Sequence, residues 1–284
     1  MAKIVEMIGV THNPNLIPAF KDNPDSEPGI RAALDNFGFM RRKLAQAKPD
    51  VLIVVASDHF NQLFMDNMPA FLVGKAPSSH GPAPNELRAF QLMEYHATID
   101  TDLAKALIEG GFHKGVDFGF SDEFLIDHAF TMPLSLIRPE MDIPIIPIFT
   151  NVMAPPIPPA QRFYDVGLAI RAIIDELPSE KRVGVIASGH TSFDIGGPSL
   201  SPSVDPEFDR QMMGWIREGN PAAVIREATW DRMHEAGNVT AGFCNFILLH
   251  GLARGVPPSF LDLNPCRYAA SPFMTWEPAN GDAS

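Results

Sequence analysis

Short runs of apolar residues rich in Ile and Val recur along the chain at 3–9, 51–56, 70–73, 143–149 and 183–187, each bounded by Pro, Gly, Asp or Asn. Runs this short and this largely apolar suit strands buried on both faces, because a strand with one wet face would alternate apolar with polar positions. Between them, apolar residues return every three or four positions over 29–47, 86–109, 159–177, 206–217, 221–227 and 239–254. That spacing lays an apolar stripe along one side of a helix. Strands alternating with amphipathic helices predict an α/β fold in a single domain over 1–284, with a largely parallel central sheet covered by helices on both faces. The 27 prolines are scattered through connections such as 154–159, 197–206 and 257–265, so they punctuate loops and do not mark an interdomain linker.

Composition narrows the function classes. The 284 residues carry 22 Lys and Arg against 34 Asp and Glu, a formal charge of −12, and no basic stripe interrupts the acidic surface. Such a surface repels phosphate backbones and anionic headgroups, which argues against nucleic-acid and membrane-surface binding. No apolar stretch approaches the roughly 18 residues needed to cross a bilayer, and the first ten residues do not read as a signal peptide. Cys244 and Cys266 are too few and too far apart for a disulfide framework or a CxxC pair. A cytoplasmic protein is expected.

The nine histidines change the picture more than the charge does. His12 follows the first apolar run, His59 follows the run 51–56 through Ser57 and Asp58, and His190 follows 183–187 through Ser188 and Gly189. His128 sits in a loop before Thr131-Met132-Pro133. Ligands of open α/β sheets bind at the carboxyl ends of strands, so these imidazoles are expected to converge on one crevice. A single such His is more often a hydrogen-bonded structural residue, but several at equivalent topological positions favour a site. His80, His96, His113 and His250 lack this context and read as surface or helix residues. Two neutral imidazoles with a carboxylate would make the facial triad of non-haem Fe(II), and a further His titrating near neutrality would move protons. The residues alone equally admit zinc, or acid/base chemistry without a metal.

The chain resembles the class III extradiol ring-cleavage dioxygenases, the group that includes the β subunit of protocatechuate 4,5-dioxygenase and gallate dioxygenase. The matching stretches are Thr11-His12-Asn13-Pro14, Ser57-Asp58-His59-Phe60-Asn61, Asp66-Asn67-Met68-Pro69, Asp127-His128-Ala129-Phe130-Thr131-Met132-Pro133, Ser188-Gly189-His190 and Glu235-Ala236-Gly237-Asn238. They occur in order and span most of the chain. The resemblance implies Fe(II) held by His12 and His59, His190 as the acid/base, and His128 contacting substrate or oxygen. It also implies O2 and a small catechol- or gallate-type aromatic whose adjacent hydroxyls chelate the metal. A homo-oligomer, or pairing with a related subunit, is the expected assembly.

One position departs from the pattern. The Glu that completes the family's metal triad falls on Gly242, which has no donor atom. Glu235 is the nearest carboxylate, but in a regular helix seven residues separate it by about 10 Å along the axis. Water, an exogenous ligand or a substrate carboxylate are the other candidates for that coordination position, and Gly242 itself reads as a residue kept for close packing. Asn61 and Thr191 are further candidates for substrate contacts, the stretch 152–159 for lining the pocket and 268–276 for closing over it. The missing carboxylate also raises two other readings: a noncatalytic family subunit beside an active paralogue, and a metal-dependent hydrolase or decarboxylase on the same scaffold.

Overall fold

The structure, a computed structural model, describes residues 1–196, 204–266 and 269–277. In chain order the elements are β1 (Lys3–Thr11), α1 (Leu16–Asp22), α2 (Pro28–Ala47), β2 (Val51–Ser57), β3 (Phe71–Gly74), β4 (Ser78–Gly81), α3 (Pro84–Ala89), β5 (Tyr95–Thr98), α4 (Thr101–His113) and β6 (Gly119–Ser121). There follow α5 (His128–Ile137), β7 (Ile145–Thr150), α6 (Ala160–Glu176), β8 (Arg182–Gly189), α7 (Pro206–Arg217), α8 (Pro221–Glu227), α9 (Trp230–Glu235), a 3-10 turn (Thr240–Phe243), α10 (Cys244–Leu252), β9 (Phe260–Asn264) and β10 (Ser271–Trp276).

Eight strands form one sheet in the order β6-β3-β7-β2-β8-β1-β10-β9. Its centre, β7-β2-β8-β1, is parallel throughout. The antiparallel pairs lie outside that core, where β3 meets β7, β10 meets β1 and β9 meets β10. The five apolar runs all become strands, as their composition predicts. Burial on both faces explains why β2 shows no polar alternation: Leu52, Val54 and Ala56 pack with α1, α2 and α5, while Val51, Ile53 and Val55 pack with α4, α6 and α10.

Three stretches differ from their apolar periodicity. The span 86–109 is not one helix; α3 ends at Ala89, and β5 pairs antiparallel with β4 before Asp100 caps α4 by accepting a hydrogen bond from the Leu103 N–H at 3.1 Å. The loop around His128 is the first turn of α5, capped by Asp127. The span 239–254 begins as a 3-10 turn, and α9 is separated from it by Gly237, whose φ of 144° breaks the helical path. Residues 271–276, expected to close over a pocket, are instead the strand β10 within the sheet, and Tyr268 lies outside the described residues.

Helices α6 and α10 cross closely because each presents a glycine. A Cβ on Gly167 would lie 2.0 Å from the Leu248 carbonyl oxygen, and one on Gly251 would lie 2.2 Å from the Tyr164 carbonyl oxygen. Backbone cannot yield as a flexible side chain does, so Gly167→Ala must separate the helices and is expected to cost about 1–3 kcal/mol. Thermal unfolding would show this as a Tm lowered by roughly 2–4 °C per kcal/mol. An unchanged Tm would mean the crossing is looser than its geometry.

Candidate functional site

Strands β2, β8 and β1 are parallel neighbours, and their carboxyl ends deliver His59, His190 and His12 to one edge of the sheet. Thr11 pairs with Gly189 in register, which places His12 and His190 side by side. Their ring centroids are 4.1 Å apart, and His12 lies 5.2 Å from His59 and 5.8 Å from His128. His128 reaches the cluster from the first turn of α5, with its ring 4.2 Å from that of His59. The four imidazoles singled out in the sequence therefore form one group.

Each of three rings is held through Nδ1. His12 Nδ1 lies 3.0 Å from Ser188 Oγ, and the Ser188 hydroxyl donates to the Ala129 carbonyl at 2.7 Å, so Ser188 accepts the His12 Nδ1–H. Asp127 Oδ2 accepts from His59 Nδ1 at 2.8 Å and from the His59 backbone N–H at 2.9 Å, while its other oxygen caps α5 through the Ala129 N–H. Glu86 Oε1 accepts from His128 Nδ1 at 2.7 Å and Oε2 from the His128 backbone N–H at 3.1 Å. A proton fixed on Nδ1 leaves the lone pair on Nε2, the arrangement in which metal-ligating histidines are oriented by outer hydrogen-bond partners.

His12, His59 and His128 each offer a ligand nitrogen within 4.8 Å of the other two. The Nε2 of His12 is buried and makes no hydrogen bond. An orphaned buried polar atom is costly and rare in folded proteins. A divalent cation coordinated by that lone pair removes the cost, so the residues present fit a metal ion.

The electrostatics separate the rings. Burial, reinforced by the neighbouring imidazoles, holds the pKa values of His12 and His190 well below the ordinary 6.5, so both are neutral at pH 7. For His59, burial opposes the charged form, but Asp127, Glu86 and Asp58 outweigh it and the pKa moves up. Asp127 moves down; burial opposes ionisation, but the His59 interactions dominate. Buried Cys244 has its thiol pushed up to about 12 by burial, which makes it an inert core residue.

Other candidates fall elsewhere. Glu235, the expected third ligand, ends α9 as an exposed residue and is not grouped with His12, His59 and His128 among the described residues. Thr191 is fully buried, with its hydroxyl 3.5 Å from the Ala270 carbonyl oxygen. Asn61 donates to Glu86 Oε1 at 3.1 Å, so its amide supports the carboxylate behind His128. Two amides that flank Gly242 in the sequence are also engaged: Asn245 bridges Thr150 and the Ser188 carbonyl, and Asn238 bonds the backbone of Ile195. Gly242 does lie beside the cluster: a Cβ there would be 3.6 Å from His190 Cδ2, an ordinary contact. The close approach belongs to Gly189, whose Cβ would lie 2.4 Å from the Gly242 carbonyl oxygen. His80, His96 and His113 are exposed, whereas His250 is a buried residue of α10. Glu86, Asp127 and Ser188 were not identifiable as ring anchors from sequence, since Glu86 is 42 residues from His128 and Asp127 serves His59 rather than its neighbour.

Comparison with known proteins gives a consistent result. The family profile described as the catalytic LigB subunit of aromatic ring-opening dioxygenase matches residues 6–263. A 2,3-dihydroxyphenylpropionate/2,3-dihydroxicinnamic acid 1,2-dioxygenase of Rhodococcus sp is 30% identical over 236 residues, covering 82% of this chain and 69% of its own. Its namesake from Photorhabdus laumondii is 29% identical over 239 residues, covering 84% and 70%. The crystal structure of an uncharacterized Escherichia coli K12 protein superposes with a TM-score of 0.62 over 96% of this chain and 99% of its own, at 14% identity, a likeness of fold alone.

Proposed function

The chain belongs to the LigB family of catalytic subunits of aromatic ring-opening dioxygenases, and from that premise we propose that it cleaves catechol-type aromatics by metal-dependent, extradiol-type chemistry with O2. The observation that carries this reading is the meeting of four imidazoles at the ends of β1, β2 and β8 and the start of α5, with the His12 Nε2 buried and unpartnered. The cation is proposed to be Fe(II), held by His12 and His59.

Bound there, Fe(II) supplies a Lewis acid for two adjacent phenolic hydroxyls and a source of electrons for O2. The chain's own residues do the rest. His190, neutral at pH 7 and beside His12, accepts a phenolic proton as the substrate docks and returns a proton at the same nitrogen later in the turnover. Phe193, its ring 4.9 Å from that of His190, supplies an apolar wall that keeps water from competing for that proton. Asp127 and Ser188 fix the two metal-holding rings, so little reorganisation is needed on binding. Both atoms of O2 enter the opened ring, so no external reductant is required.

Anaerobic loading with Fe(II), followed by oxygen uptake with 2,3-dihydroxyphenylpropionate, protocatechuate and gallate, tests the reading. One O2 consumed per ring opened is expected with at least one of them. Turnover unaffected by oxygen removal would instead support a hydrolase or decarboxylase.

A further inference from the structure

We propose that the third metal ligand is His128, which makes the centre a three-imidazole site supported from behind by Glu86. This assignment rests on the metal-dependent reading above and deepens it.

Four observations converge. First, Gly242, beside His190, has no side chain with which to coordinate, and among the described residues Glu235 is exposed on α9 while no carboxylate groups with His12 and His59. Second, His12, His59 and His128 each bring a ligand nitrogen within 4.8 Å of the other two, and two of the three are the rings already assigned to the metal. Third, His128 is held like those two. Its Nδ1 is spoken for by Glu86 Oε1 at 2.7 Å, just as His12 is held by Ser188 and His59 by Asp127, so Nε2 is the nitrogen left to coordinate. Fourth, Glu86 is only 6% exposed and is itself tied down, by the His128 backbone N–H and by the Asn61 amide.

The other grouping of potential ligands, Glu86, Asp127 and His128, is less suited to a cation. Both of its carboxylates already accept hydrogen bonds from imidazoles and backbone amides, and coordination would strip those bonds away. They are better placed as the outer layer. There they also answer a charge question. A divalent ion with three neutral ligands keeps its full double charge, whereas a Glu ligand would have cancelled part of it. Glu86 and Asp127, each one imidazole away, place carboxylate oxygens behind His128 and His59 by hydrogen bonds of 2.7 and 2.8 Å to their Nδ1 atoms.

The test uses the full-length apoprotein and Co(II) as the probe, read by calorimetry and by visible absorption, with circular dichroism as the folding control. Wild-type protein is expected to bind one Co(II) per chain. His128→Ala is expected to weaken Kd by more than the roughly 10–100-fold that follows loss of an outer-layer partner, and to change the absorption envelope because a nitrogen ligand is gone. Glu86→Gln, which keeps the imidazole, is expected to weaken Kd within that roughly 10–100-fold range with the absorption envelope retained. Unchanged affinity and absorption in folded H128A would overturn the assignment while leaving the metal-dependent reading standing. Should H128A fail to fold, wild-type affinity in E86Q would overturn it. A wild-type protein that binds no divalent cation would remove the metal-dependent reading itself, and this assignment with it.

Discussion

His59→Ala is expected to abolish retention of a divalent cation through dialysis and to take ring cleavage below detection. His59 is the ring in the cluster best suited to this measurement, because its side chain is 12% exposed and its removal leaves no sealed cavity in the core. The backbone N–H of residue 59 continues to donate to Asp127, and Asp127 continues to cap α5, so the surrounding fold keeps its hydrogen bonds. What is lost is one coordinating nitrogen and the charge support that Asp127 delivers through it. Mutation of an outer partner alone costs roughly 10–100-fold in metal affinity, and loss of the ligand itself exceeds that. Metal content per chain by mass spectrometry, with circular dichroism to confirm folding, gives the answer. H59A that retains a full equivalent of metal would remove His59 from the ligand set.

The second large effect is expected at His190. Substitution by Gln preserves most of the volume and removes the titratable nitrogen, and kcat is expected to fall by about 10²–10⁴-fold, the range that a positioned acid/base contributes. Metal content should be unaffected, which separates this residue from His59. The pH profile carries a sign. Burial, first, and then the nearby imidazoles hold the His190 pKa well below 6.5, so the ring remains a competent base through neutrality and into mild acid. Activity is lost only as pH falls through that lowered value and the ring becomes protonated. The acidic limb of kcat/KM is therefore expected below pH 6.5 in the wild type and absent from the residual activity of H190Q. An acidic limb at the same pH in both proteins would assign it to another group.

Much of this centre was legible along the chain. The runs 51–56 and 183–187 carry no polar side chain because β2 and β8 are covered on both faces, and a histidine three residues beyond such a run is placed by topology at the sheet's carboxyl edge. The same logic located His12 beyond β1. His128 was legible as a chemical group but not as a helical residue, since Pro133 lies inside α5 and disguises its periodicity. The span 86–109 misled for a related reason: α3 and α4 each carry helical spacing, and the β5 residues between them add apolar positions that bridge the two patterns.

The layer behind the imidazoles was not legible. Glu86 reaches His128 across 42 residues and Ser188 reaches His12 across 176, and no spacing rule connects such pairs. Asp127 adjoins His128 in sequence yet anchors His59, because an N-cap side chain turns back toward the helix start and the neighbouring strand end.

By itself, then, the sequence determined the α/β class, the strand ends at which chemistry would collect, the four histidines that collect there and the absence of a carboxylate at Gly242. Local pattern suffices for these, because strand burial, helix periodicity and the missing donor atom are properties of residues and their near neighbours. Only the tertiary structure decided which nitrogen each ring presents, that Glu235 is exposed at the end of α9, and that His128 stands beside His12 and His59 with a carboxylate of its own. Those outcomes depend on hydrogen bonds between residues distant in sequence, whose partners are fixed only when the strands take their order in the sheet.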